Sequence, residues 1–127
     1  MGIVNDFQVM YEVDRGVSIS RFDMLLESSG LQKQVLAGLM GLDPRTIDNY
    51  RKANKRFGAL EGELLLKLYG LFEFGQEVFE GKDAFLQYLS SPSYAFREKR
   101  PLDMLNTFTG VELVSRDLHK IAHGYVA

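Results

Sequence analysis

Residues 31–52 read LQKQVLAGLMGLDPRTIDNYRK, and the spacing inside this stretch decides the fold. Ala37 precedes Gly41 by one helical turn, and Leu36, Met40, Leu42, Ile47 and Tyr50 fall where two short crossed helices would face each other. A helix-turn-helix needs that arrangement: a small residue at the crossing, a residue tolerating positive φ in the turn, and apolar neighbours that lock the angle. Asp43-Pro44 opens the second of the two helices, since Asp caps the free amides and Pro fits the first helical position, where no amide is required. Arg45, Thr46, Asp48, Asn49 and Lys52 are then left on the outer face. An ordinary pair of core helices would reproduce part of the pattern and is the competing reading.

Charge is distributed to match. The net charge is −2, which as an average argues against a phosphate-rich partner. The average conceals segments: residues 1–30 carry two basic and five acidic side chains, 31–58 six and two, and 59–127 seven and ten. One basic island lies between two acidic flanks, as expected if one segment meets phosphates and the others meet something else. Arg45 and Asn49 have forked groups suited to base edges, whereas Thr46, Arg51, Lys52, Lys55 and Arg56 suit phosphates. Asp48 opposes DNA unless it accepts from a cytosine amine or pairs with Arg45 or Lys52.

Outward from this centre the chain reads as mainly α. Phe7, Val9, Tyr11 and Val13 alternate with more polar residues, which predicts a short N-terminal β-strand pairing with another copy or another protein; a loosely packed arm is the alternative. From Ser20, placed as a cap, Phe22, Leu25 and Leu26 share a helical face that Gly30 ends. A long helix over about 60–79 carries Leu64, Leu65, Leu68, Leu71, Phe72, Val78 and Phe79. Its Gly70 and Gly75 each cost about 1 kcal/mol relative to Ala, so another helix is expected to pack closely against both. Leu66, Tyr69 and Phe74 lie partly off the buried face and, with the strand, predict a homodimer.

Gly81 separates a short helix containing Phe85, Leu86 and Leu89, stopped by Pro92. A polar loop over 90–100 leads to a single turn at Pro101 with Leu102 and Leu105. Thr109 and Glu112 have capping-box spacing and predict the start of the last helix, whose stripe is Val111, Val114, Leu118, Ile121 and Ala122. Gly124 ends it and leaves a tail, Tyr125-Val126-Ala127. The expected organisation is an arm or strand over 1–17, a helix-turn-helix domain over 18–58 and a small helical domain over 59–127.

The absence of cysteine fits a reducing compartment, and the chain shows neither a signal-peptide pattern nor an apolar stretch of spanning length, so a cytoplasmic protein away from membranes is expected. An enzyme is not expected, because a Gly-rich phosphate loop, a nucleophile elbow and a cysteine nucleophile are all missing. No catalytic residue, cofactor or metal is therefore assigned. His119 and His123 lie one turn apart without a third ligand type, and Glu73, Glu77 and Glu80 without the His partners of a di-iron bundle, so both sets are read as exposed helix faces.

The chain from about Gly16 to Ala127 resembles the antitoxins of the Xre/MbcA/ParS group, the partners of RES-domain toxins. Leu42-Asp43-Pro44-Arg45-Thr46-Ile47 matches the start of their recognition helix. Phe85, Tyr88-Leu89, Pro92, Ala95-Phe96, Pro101-Leu102, Leu105, Thr107, Gly110, Val114, Leu118, Ile121 and Gly124 follow the order and spacing of their toxin-binding domain. The group often has Trp where Tyr88 stands, a Gly pair where Arg97-Glu98 stands, and a basic residue at the position of Asn49. The Arg97-Glu98 departure predicts a different path for the loop before Pro101.

The resemblance implies that the protein binds a RES toxin, an NAD-consuming enzyme similar to ADP-ribosyl transferases, and represses its own operon, alone or in a larger toxin–antitoxin complex. Toxin contact is expected through Arg116, Lys120 and the tail Tyr125, Val126 and Ala127, with the tail as an aromatic plug; a frayed terminus is the plainer alternative. A dimeric helix-turn-helix regulator without a toxin partner is the second functional reading.

Overall fold

The computed structural model describes residues 6–124. It is helical: α1 (Asp6–Arg15), α2 (Ile19–Ser29), α3 (Lys33–Leu39), α4 (Pro44–Ala53), α5 (Ala59–Phe79), α6 (Lys82–Ser90) and α7 (Phe108–Ala122), with 3-10 turns at Tyr94–Phe96 and Pro101–Met104 before α7. Among the described residues no sheet forms, and β pairing is confined to two bridges, Val17 with Phe57 and Ser93 with Lys99.

The expected N-terminal strand is a helix. Apolar residues at every second position also contain pairs four apart, and here Val9 and Val13 form such a pair, packed against the core. The opposite face carries Phe7, Met10 and Tyr11, exposed by 85%, 63% and 66%. Glu12 fixes α1 to α2 by accepting two 2.7 Å hydrogen bonds from the Arg21 guanidinium.

The axis of the molecule is α5, which packs against α1, α2, α6 and α7. Leu64, Leu65, Leu66, Leu68, Leu71 and Phe72 are all buried along it, in one hydrophobic cluster with Phe22, Leu36 and Ile47 on one side and Phe85, Val114 and Leu118 on the other. Leu66, expected partly off the buried face, is only 1% exposed, so it offers no surface for a second copy.

The two helix-interior glycines of α5 behave differently. A Cβ on Gly75 would stand 2.2 Å from the Phe85 ring, so the missing side chain is what lets α6 approach. A Cβ on Gly70 would have no neighbour within 4 Å, and the expected close packing there does not occur. Gly70 instead lines an open groove between α5, α7 and the start of α1.

Two helix starts also fall elsewhere than expected. Ser18, not Ser20, precedes α2, and it caps by backbone conformation alone. Thr107 rather than Thr109 caps α7, its hydroxyl accepting from the Gly110 amide at 3.0 Å. The register is set by Gly110, where a Cβ would lie 1.6 Å from the Met104 carbonyl oxygen. Val111, Val114 and Leu118 are buried as expected, but Ile121 is only partly covered and Ala122 is exposed.

Candidate functional site

Helices α3 and α4 form the crossed pair that the Ala37–Gly41 spacing required. Ala37, Leu36 and Ile47 are completely buried, Met40 nearly so, and Gly41 takes φ +75° in the turn. The Leu42 amide closes that turn onto the Ala37 carbonyl at 2.9 Å. Asp43 caps α4 by accepting from the Arg45 amide at 2.8 Å, with Pro44 in the first helical turn.

The outward residues divide into free and engaged groups. Asn49 and Lys52 are exposed and make no side-chain hydrogen bond or ion pair among the described residues, and Thr46 is half-buried beside them. Arg45 is 87% exposed but turns back on Asp43, 3.1 Å from each carboxylate oxygen. That contact holds the Asp43 carboxyl below the usual carboxylate range, its side-chain bond to Arg45 contributing most.

Asp48 pairs with Lys33 of α3, not with Arg45 or Lys52. The Lys33 bond is the main reason its carboxyl is held low, with Arg51 and Lys52 adding attraction. Arg51 is gripped by Asp23 of α2 through two bonds, Nη1 to Oδ2 at 2.5 Å and Nη2 to Oδ1 at 3.1 Å. Lys55 lies over the Tyr50 ring, 4.7 Å from its centre. Arg56 donates to the Gly16 carbonyl at 2.8 Å, beside the Val17–Phe57 bridge. Thus Asn49 and Lys52 remain unengaged on the outer face, Arg45 is exposed but paired with its neighbouring cap residue, and Arg51 and Arg56 are tied to distant parts of the chain.

In the second half, Arg116 and Lys120 share one edge of α7, and both are exposed. Arg116 lies 3.7 Å from Glu112, one turn earlier. Together they border a cleft of about 420 Å³ whose other walls are Ala95, Phe96, Arg97, Lys99, Met104, Leu113 and Asp117. Four basic side chains thus surround an apolar floor of Phe96, Met104 and Leu113. The one acid in the wall, Asp117, is buried and accepts a 2.7 Å hydrogen bond from the Tyr88 hydroxyl. Burial of Tyr88, and then its bond to Asp117, raises the phenol pKa well above the usual tyrosine range.

Arg97 and Glu98 form the tip of this cleft's loop, with φ +56° and +68°. Both therefore occupy the left-handed region that a Gly pair would favour. The loop keeps a glycine-type backbone although neither residue is glycine. Tyr125, Val126 and Ala127, assigned to toxin contact, lie outside the described residues.

His119 and His123, read as exposed, have local partners. The His119 ring packs on Phe74, centres 4.5 Å apart, and His123 Nδ1 lies 2.6 Å from the His119 carbonyl oxygen. Glu73 is not a fully solvated face residue, since its Oε1 is buried without a hydrogen-bond partner among the described residues.

Two family models cover most of the chain. Residues 8–70 match the antitoxin Xre-like helix-turn-helix domain, and residues 75–124 match the antitoxin Xre/MbcA/ParS C-terminal toxin-binding domain. The chain belongs to the Xre/MbcA/ParS-type antitoxins. No curated protein matches it. The α3–α4 pair of this antitoxin lies inside the first match, and the basic cleft, with Arg116 and Lys120, inside the second.

Sequence reasoning missed Arg97, Lys99, Phe96 and Met104 as cleft walls, and Asp23 and Lys33 as partners of the outer face. The cleft is made by a loop folding onto a helix, and Asp23 is 28 residues from Arg51, so no local pattern announces either. Among the described residues no helix is long and apolar enough to cross a membrane.

Proposed function

We propose that this antitoxin neutralises a RES-domain, NAD-consuming toxin by direct binding through residues 59–127 and represses its own operon through the helix-turn-helix within residues 18–58, in the cytoplasm. The observation that carries the reading is the pairing of two surfaces in one chain: a recognition-helix face with Arg45 and Asn49 outward, and a basic cleft inside the toxin-binding match. Arg45 and Asn49 read base edges, and Lys52, Thr46 and Lys55 supply phosphate contacts. Arg116 and Lys120 meet acidic groups of the toxin, and the tail Tyr125-Val126-Ala127 fills its active site.

A homodimer on a palindromic operator, and a larger assembly with toxin, complete the proposal. Its support is the exposed stripe Phe7, Met10 and Tyr11 on α1, a larger apolar surface than isolated side chains would leave.

The test is co-purification with the product of the neighbouring gene, followed by an assay of NAD loss with and without the antitoxin. A stable complex with suppressed NAD loss is the expected result. Intact operator binding without any complex would leave a dimeric helix-turn-helix regulator instead.

A further inference from the structure

Three carboxylates occupy cations on or beside the outer face of α4: Asp43 holds Arg45, Asp48 holds Lys33, and Asp23 holds Arg51. The Asp23–Arg51 pair is distinctive in geometry. Its carboxylate meets both terminal nitrogens of the guanidinium, which is how a phosphate would engage the same fork. It is also distinctive in origin, because Asp23 comes from α2, within the acidic first segment of the chain, whereas Arg51 belongs to the basic island. Both side chains are near 45% exposed, so the pair sits where DNA could reach it.

We propose that Asp23 is a built-in competitor for phosphate, which keeps Arg51 off the DNA and lowers the sequence-independent part of binding. This rests on the reading of α4 as the DNA-facing helix. Asp23 touches no base, so it leaves the discrimination supplied by Arg45 and Asn49 unchanged and sets only the affinity on which that discrimination is superimposed. An exposed pair of this kind is weak enough to be rebalanced by one substitution. Each phosphate that a cation neutralises adds about 0.9 to the steepness of the salt dependence, so the release of Arg51 has its own signature.

The experiment titrates a labelled random-sequence duplex with the full chain over a range of salt concentrations. Asp23→Asn should bind about two- to fivefold more tightly, the range set by the strength of such exposed pairs. Its log–log salt slope should steepen by about 0.9. Arg51→Gln alone should leave the slope unchanged, any loss of affinity coming from the Asp23 carboxylate it leaves unpaired, and adding it to Asp23→Asn should abolish the gain. Unchanged or weaker binding by Asp23→Asn overturns the proposal. So does a gain that survives the added Arg51→Gln, because the lost negative charge would then act on DNA directly. A slope flattened by about 0.9 in Arg51→Gln alone overturns it as well, because Arg51 would then already contact phosphate, and that measurement stands even if Asp23→Asn fails to fold. Lys52→Ala separates the two levels of argument. If it weakens binding while Asp23→Asn is silent, only the competitor fails; if it too is silent, α4 is not the DNA-facing helix and both readings fall.

Discussion

The Tyr88 hydroxyl donates a 2.7 Å hydrogen bond to the buried Asp117 carboxylate, joining α6 to α7 across 29 residues of sequence. Tyr88→Phe leaves that carboxylate without this donor and should cost about 1–3 kcal/mol in chemical denaturation. The pair also predicts an alkaline effect. The folded-state phenol pKa is raised above its ordinary value of 10.0, so above that pH the unfolded chain loses a proton that the folded chain retains. Stability from this group is complete below pH 10.0 and declines as pH rises toward the folded value. The difference in denaturation midpoint between wild type and Tyr88→Phe should shrink over that range; a constant difference would dissociate the phenol from the effect.

Gly75 and Gly70 predict opposite responses to one methyl group. Gly75→Ala drives a Cβ into the Phe85 ring and should destabilise by about 1–3 kcal/mol or more. Gly70→Ala meets no atom and gains helix propensity of about 1 kcal/mol. Thermal melts of the two variants should therefore move in opposite directions, and equal shifts would contradict the packing of α6 on α5.

Glu98→Gly should stabilise the loop over the basic cleft. Glu98 has φ +68°, a region costing non-glycine residues about 1–2 kcal/mol, part of which glycine loses again through unfolded-state entropy. A net gain of a few tenths to about 1 kcal/mol is expected from urea titration. A loss would show that the Glu98 side chain makes a compensating contribution.

The DNA face predicts a split between two substitutions. Arg45→Ala should lower affinity for the upstream operon DNA by about tenfold or more, the effect of losing a base-reading fork, with less effect on random duplex. Lys52→Ala should weaken both to similar degrees. Unchanged gel-shift titrations for the double variant would remove α4 from the interface.

The proposed toxin neutralisation predicts separable contributions from the basic cleft and the tail. Deleting Tyr125-Val126-Ala127 should leave melting and DNA binding nearly intact, since among the described residues the last core side chain is Leu118, and should restore NAD loss in a reconstituted mixture. If the shortened chain still neutralises, the Arg116 and Lys120 edge carries inhibition. Charge reversal at both positions should then release the toxin.

The sequence alone determined what depends on neighbours a turn or two apart. Ala37, Gly41 and Asp43-Pro44 specify a crossing, a turn and a capped helix within a few residues, and α4 begins where they say. The helical character of 59–79 and 82–90 was legible for the same reason. The N-terminal alternation was ambiguous in principle, because Val9 and Val13 satisfy a strand and a helix equally until α5 supplies the surface they bury against. Only the tertiary structure decided which glycine of α5 another helix approaches, which threonine caps α7, that Asp23 holds Arg51, and that Tyr88 holds Asp117. Helix periodicity is a short-range property of the backbone, whereas the partner of a given charge or the neighbour of a missing Cβ is fixed by how distant helices pack, and such packing leaves no spacing in the chain to read.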